Sequence, residues 1–356
     1  MTPRVKVIGA GSIGNHLAHG CRSRGWDVTI VDLSTEALER TRDVIYPSRY
    51  GAWDDAIILA RPEDVEGQNF DVVIVGTPPA THLAVATDEI SNAKPRLLLI
   101  EKPLAHPDSE ALRAFVNIVN ASPTKVLVGY NQRLKDNTLA FLDAAHSLDL
   151  GALKSLRSHM LESWDGILKA HFWMSSEKDS YLAFTDQGGG ALLEHSHALN
   201  LFLYLARELG QGKPTNVEAN IDWVNHESGK YDRDSQLHIT MESGLVGEVR
   251  QNLHTWPAKK EARAEFEKGS LLWTMGDSSD AVQHLSLEGN VVKEWHFPKT
   301  RPDDFKGEIA HLEQLLADPH LASPLDLSAG LEVMSVALAA FASSESAGPV
   351  SVVELA

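Results

Sequence analysis

Three short stretches of this 356-residue chain carry the residue types that chemistry needs. The first is Gly9-Ala10-Gly11-Ser12-Ile13-Gly14, with Asp32 further along. Glycines at this spacing make a turn that a nucleotide can approach. Gly9 permits the sharp bend, Gly11 opens backbone N–H groups to a pyrophosphate, and Gly14 lets the following helix pack closely. Ser12 and Ile13 lie in the same loop and are cofactor-contact candidates with it. Asp32 would accept hydrogen bonds from ribose hydroxyls and repel a 2′-phosphate, so the pattern favours NAD over NADP. The second stretch is Glu101-Lys102-Pro103, where a lysine beside a nicotinamide could orient a substrate hydroxyl and exchange its proton. The third is Glu194-His195-Ser196-His197, preceded by Gly188-Gly189-Gly190. Its titratable side chains open a run as apolar as Leu199 to Leu205, and buried charge without a partner or ligand is costly.

The elements that must position these residues are legible from hydrophobic period. Arg4 to Ile8 reads as a strand, Ile13 to Arg24 as a helix, Val28 to Val31 as a strand ending at Asp32, and Ser34 to Arg42 as a helix. Further apolar runs follow at Asp71 to Val75, Leu97 to Ile100 and Lys125 to Gly129. Alternation of this kind predicts an α/β domain, a Rossmann-type doubly wound parallel sheet spanning residues 1–128. Thr77, Pro78 and His82 then fall just beyond one strand and Glu101 and Lys102 just beyond another. Open α/β sheets bind their ligands at such carboxyl ends, which makes all five cofactor-contact candidates.

Beyond about residue 130 the pattern changes to alternating strands: Ser155 to Met160, Val217 to Trp223, Gln236 to Met241, Leu245 to Asn252, Ala262 to Glu267, Gly269 to Thr274 and Ala281 to Leu287. They predict an α+β domain over 129–324 with a large open, mainly antiparallel sheet. A C-terminal helix and tail, 325–356, is expected to pack back near the first domain, with a cleft between the two domains. Arg133, at the junction, could hold a carboxylate or phosphate bidentately or tie the domains together. The segment from Trp164 to Tyr181, with Lys169, His171, Trp173 and Ser180, is irregular and aromatic and suits a lid or wall for a sugar ring. Trp164, His195, His197, Asn200, Arg133 and Lys102 are the substrate-contact candidates.

Composition excludes other classes. The formal charge of −17 opposes binding to phosphate backbones or anionic lipid, so neither nucleic acid nor membrane is expected as a partner. The single cysteine, Cys21, allows no internal disulfide and fits a reducing, cytoplasmic setting. The chain holds 16 histidines, but His195 and His197 point apart on a helix and no His-Glu-x-x-His spacing occurs, so no metal site is expected. His16 and His19 read as a solvated surface pair. A broad open sheet needs its face covered, which predicts a homodimer or homotetramer through that sheet.

These motifs, with Gly76 to His82, Gly129-Tyr130-Asn131-Gln132-Arg133, Gly188 to His197, and a tail from Gly330-Leu331-Glu332-Val333 through Ser344 to Val350, resemble the glucose-fructose oxidoreductase, inositol dehydrogenase and MocA-like (Gfo/Idh/MocA) family. The resemblance implies NAD(P)-dependent oxidation or reduction of a hydroxyl-bearing carbon in carbohydrate metabolism, on a sugar, sugar acid or sugar-nucleotide. It implies that Lys102 holds the substrate oxygen while His197 or Glu194 takes the proton. The family's common pattern has an Asp four positions after the glycine triplet and a His four beyond it. Here Glu194 and Ala198 fill those slots, with His197 one position earlier, a Glu-x-Ser-His arrangement similar to a carbohydrate-biosynthesis subset. On one continuous helix, Glu194 and His197 would share a face. Asn200 stands where an Asp often lies. A redox-neutral glycosidase that retains NAD and a non-catalytic NAD-responsive regulator are the alternatives on the same scaffold.

Overall fold

The computed structural model describes residues 2–170, 174 and 176–355; His171 and Trp173 of the aromatic segment lie outside them. In chain order the elements are β1 (Arg4–Ile8), α1 (Ser12–Ser23), β2 (Asp27–Val31), α2 (Thr35–Arg40), α3 (Tyr46–Tyr50), β3 (Ile58–Ala60), β4 (Val72–Val75), α4 (Pro79–Asp88), β5 (Leu97–Ile100), α5 (Ser109–Asn120) and β6 (Lys125–Val128). There follow α6 (Asp136–Ser147), β7 (Leu153–Leu161), α7 (Trp164–Ala170), α8 (Ala191–Glu194), α9 (His197–Glu208), β8 (Pro214–His226), β9 (Gly229–Met241) and β10 (Val246–Asn252). The chain continues through β11 (Lys259–Phe266), β12 (Gly269–Met275), β13 (Ser279–Leu285), β14 (Val291–Pro298), α10 (Arg301–Ala317), α11 (Leu327–Ser346) and β15 (Val350–Ser351). Two compact units result, 1–131 with 302–328 and 132–301 with 329–355.

The first unit holds a six-stranded parallel sheet in the order β3-β2-β1-β4-β5-β6. The predicted doubly wound sheet is present. Its central strands β4 and β5 are Val/Ile/Leu runs buried along their whole length, as strands covered on both faces must be. Strand order runs outward in opposite directions from β1 and β4, so the topological switch point lies at their carboxyl ends. Local signals set the helices: Ser34 caps α2 by accepting from Ala37 N, and Asp108 caps α5.

One expectation needs correction here. His16 is not solvated: it is 4% exposed, stacks on Phe305 and lies 2.5 Å from the Tyr50 hydroxyl, while half-buried His19 stacks on Tyr50. Those partners are remote in sequence, so the helix period alone could not reveal them. The C-terminal part of the chain is divided between the two units. Residues 302–328 join the first unit, where Ile309 of α10 packs on Gly20 and Val128 N donates to Leu325 O. Residues 329–355 join the second, where Ser343 of α11 accepts from Ala219 N and β15 pairs with β8.

The second unit is built on a nine-stranded sheet, β14-β13-β12-β11-β7-β10-β9-β8-β15, antiparallel except where β10 runs parallel to β7. The mainly antiparallel sheet is as predicted; β14, with three charged or polar residues among its apolar ones, is a strand that periodicity did not mark. Leu237, Ile239 and Met241 alternate inward on β9, and Ala262 and Ala264 do so on β11. Helix α11 is long and apolar enough to cross a membrane by length and composition, but most of it is buried in the fold, as a core helix is. One buried carboxylate also ties the unit together. Asp232 of β9 is fully enclosed and accepts from Leu192 N (2.6 Å), Ser235 Oγ (2.8 Å) and Thr185 Oγ1 (3.2 Å). Burial pushes its pKa up to about 6, against the pull of those donors.

Two outcomes are expected. In the first unit, Lys6 Nζ lies 2.6 Å from Glu89 Oε1 with both residues buried. Lys6→Met leaves a buried carboxylate alone and should cost about 3 kcal/mol in urea unfolding; a loss below about 1 kcal/mol would show the pair to be dispensable. In the second unit, the raised Asp232 pKa means that its contribution is complete below about pH 4 and is lost as pH rises through about 6. The stability of the parent chain relative to Asp232→Asn should therefore fall by up to roughly 3 kcal/mol between pH 4 and pH 8, and a pH-independent difference would contradict this.

Candidate functional site

In the first unit the site grows from the carboxyl end of β1. Gly9 has φ +109°, and a Cβ there would lie 2.6 Å from the Gly76 carbonyl oxygen, so only glycine lets the ends of β1 and β4 approach this closely. Gly14 packs equally tightly on the Gly9 carbonyl. Gly11 is different: a Cβ on it would meet nothing within 4 Å. It is also the N-cap of α1, with no side chain accepting from the helix's first N–H groups. The start of α1 is thus an open cradle of backbone donors at the positive end of a helix, which fits a pyrophosphate. Ser12 is buried beneath it and Ile13 half-buried.

Asp32 stands beside this turn. Its Oδ2 accepts from Ala10 N and its Oδ1 from Ser34 N, each at 2.8 Å. A carboxylate has about four acceptor positions. Two remain to take ribose hydroxyls in a fixed orientation. The residues present therefore fit an adenine dinucleotide. Sequence reasoning passed over two neighbours. Leu33 is 77% exposed immediately after Asp32, an apolar surface next to the ribose-binding candidate. Arg49 donates to the Ser12 carbonyl and hydroxyl, both at 2.7 Å, bringing a guanidinium to the first turn of α1. An apolar residue leaving a strand into solvent was the available signal for Leu33; nothing local marked Arg49.

Beyond β4 and β5 the predicted residues meet through His82. Its Nε2 lies 2.7 Å from Thr77 O and its Nδ1 3.0 Å from Pro103 O, with the ring 1% exposed. Burial draws its pKa down to about 4 although both carbonyls pull the other way, so the ring is neutral at pH 7 and donates to one of them. His82 thus joins the loop after β4 to the loop after β5. Thr77 and Pro78 lie at the surface of the first loop. Glu101 is buried against Gly129, and its Oε2 accepts from Lys102 N at 3.3 Å. Lys102 is half-buried, and the Lys102–Pro103 peptide is cis. A residue that sequence reasoning missed backs this corner: Glu308 of α10 is fully buried, and burial together with the Glu101 charge holds its carboxyl well above the usual carboxylate range.

In the second unit, Arg133 and Asn200 come together. Arg133 Nε donates to Asn200 Oδ1 at 2.8 Å, and the guanidinium sits 4.8 Å over the Tyr204 ring. Trp164 is 7% exposed and packs on Tyr231 within a cluster that includes Leu182, Ala191 and Leu253. Its Nε1 has no acceptor among the described residues. Gly190, at φ +85°, presses so closely on Asp232 that any side chain would collide with it. The continuous helix expected after the triplet is two helices. At the break, Ser196 N bonds to Leu193 O and Ala198 N to His195 O, three residues back instead of four. Glu194 therefore closes α8 and His197 opens α9, both half-buried, with His195 7% exposed between them. Glu194 Oε2 accepts from the Tyr181 hydroxyl at 3.1 Å.

Comparison with known proteins agrees with this geometry. Residues 3–130 match the family model described as an oxidoreductase family with an NAD-binding Rossmann fold. No curated protein matches the sequence. Among solved structures, a levoglucosan dehydrogenase in complex with NADH and levoglucosan superposes with a TM-score of 0.77 at 18% identity, covering 99% of this chain and 100% of that one. The WlbA dehydrogenase from Bordetella pertussis, in complex with NADH and UDP-GlcNAcA, gives 0.70 at 17% identity over 99% of each chain. The aldose-aldose oxidoreductase from Caulobacter crescentus gives 0.75 at 16% identity over 99% and 100%. At these identities the likeness is one of fold, and it extends along both units. Residues 3–130 are thus similar, in sequence, to the NAD-binding Rossmann fold of that oxidoreductase family.

Proposed function

We propose that this chain is an NAD-dependent oxidoreductase acting on a secondary alcohol or ketone of a sugar, sugar acid or sugar-nucleotide. The observation that carries the reading is the pairing, within one unit, of a complete dinucleotide cradle with Lys102 on the next loop but one, joined to the intervening loop by His82. Superposable structures described with levoglucosan and with UDP-GlcNAcA support a carbohydrate substrate.

NAD, when bound, would supply a hydride acceptor for the oxidation of the carbinol carbon to a carbonyl. The protein's own work is placement and proton handling. Asp32 would hold the ribose hydroxyls and the start of α1 the pyrophosphate. Thr77, Pro78 and Glu101 line the cofactor loops, and His82 acts through the carbonyls that it bridges. Lys102 holds the substrate oxygen. The hydroxyl proton goes to His197 or to Glu194, whose carboxylate the Tyr181 hydroxyl orients. His195, Trp164, Arg133 and Asn200 are the further contacts on the substrate side; in the last two, an amide oriented by a guanidinium can present a donor to a sugar hydroxyl.

The decisive experiment is a screen of NAD reduction against sugars, sugar acids and sugar-nucleotides, with mass spectrometry of any cofactor that co-purifies. Product formation without net NADH would instead indicate the redox-neutral glycosidase, and ligand-dependent partner binding without turnover the regulator. Lys102→Ala should lower kcat by at least about 10³-fold while NAD affinity stays within about twofold, and an active variant would remove Lys102 from the reaction. Asp32→Ala should weaken NAD more than NADP, shifting the selectivity ratio by about tenfold or more; an unchanged ratio would overturn the cofactor assignment.

A further inference from the structure

Helix α8 is a single turn, so most of its N–H and C=O groups have no partner within the helix, and a helix of this length is not stable on its own. Strands β9 and β10 supply some of those partners. Asp232 accepts from Leu192 N at 2.6 Å, while Gln251 Nε2 donates to the carbonyls of Ala191 at 2.9 Å and Leu192 at 2.8 Å. Both side chains are 0% exposed. Asp232 is itself held by Ser235 and Thr185 and lies against Gly190, the residue from which the helix starts. Glu194 N then bonds back to Gly190 O and His195 N to Ala191 O, so the clamped residues are those that anchor the proton-handling segment. An acid and an amide enclosed in a sheet are expensive compared with apolar residues. What offsets the expense here is the backbone that they capture.

We propose that Asp232 and Gln251 are positioning residues: a buried clamp that fixes the backbone of α8, and with it Glu194 and the opening of α9, against the sheet. The proposal rests on the reading of Glu194 and His197 as proton-transfer residues. Neither clamp residue touches substrate. Each acts by holding a one-turn helix in a single place, where a displacement of about 1 Å is enough to cost about 10²-fold in rate.

The test uses the full chain with Gln251→Met, which keeps the length and removes the donor, and Asp232→Asn. Amide hydrogen exchange over residues 191–197 should quicken by about tenfold or more in each variant. Turnover of the sugar found in the screen should lose about 10²-fold in kcat with a smaller change in KM, and NAD affinity should stay within about twofold. Unchanged exchange overturns the clamp, and faster exchange with intact kcat overturns its role in positioning. If Asp232→Asn does not fold, Gln251→Met decides alone. If the parent chain turns over no sugar, the functional reading fails, while the exchange measurement still decides whether the pair holds α8.

Discussion

Backbone crowding at the carboxyl ends of adjacent parallel strands is the constraint on which the first unit depends. Gly9 and Gly76 come so close that a single methyl group would separate β1 from β4. Because they touch, the turn after β1 opens outward and leaves the first N–H groups of α1 without a capping side chain. Asp32 is drawn to Ala10 N, and the next loops along the sheet fall within reach of one imidazole. A dinucleotide site is thereby preformed from main-chain atoms, with few side chains needed to complete it.

The second unit solves a different problem. Its sheet offers a broad, regular surface, yet the residues proposed for proton transfer sit on a one-turn helix and the first turn of the next. The break between α8 and α9 aims Glu194 and His197 independently, which a continuous helix would not allow. A one-turn helix leaves backbone groups that must be satisfied inside the protein, and two strands reach out to do so. The polarity of β9 and β10 at Asp232 and Gln251 thus goes with the shortness of α8.

How much of this was legible follows from how local each signal is. The glycine turn, Asp32 and the strand-end lysine were readable because each depends on neighbours within a few residues. The parallel and antiparallel sheets were readable because continuous and alternating apolar runs differ. The division of the C-terminal part between the two units was not legible, because a helix's own sequence does not state which surface it covers. The break at Ser196 was not legible, since Ser196 makes no side-chain cap to α9 that would set it apart from a serine inside a continuous helix. Asp232, Gln251 and Glu308 went unnoticed for one shared reason: a polar residue within an alternating strand or an amphipathic helix reads as outward-facing, and only the tertiary structure shows these three to be enclosed.

The discontinuity of the first unit bears on how the chain is made. Synthesis delivers the dinucleotide cradle within the first third of the sequence, but α10 and the segment that pairs with β6 come only at residues 302–328, after every long strand of the other sheet. In that sheet, too, β7 waits for β10 and β11, both supplied by chain almost a hundred residues later. Contacts of such long range close slowly. The half of the protein that leaves the ribosome first is therefore among the last to be finished, and its apolar α1 face must stay out of trouble until Phe305 and Ile309 arrive to cover it.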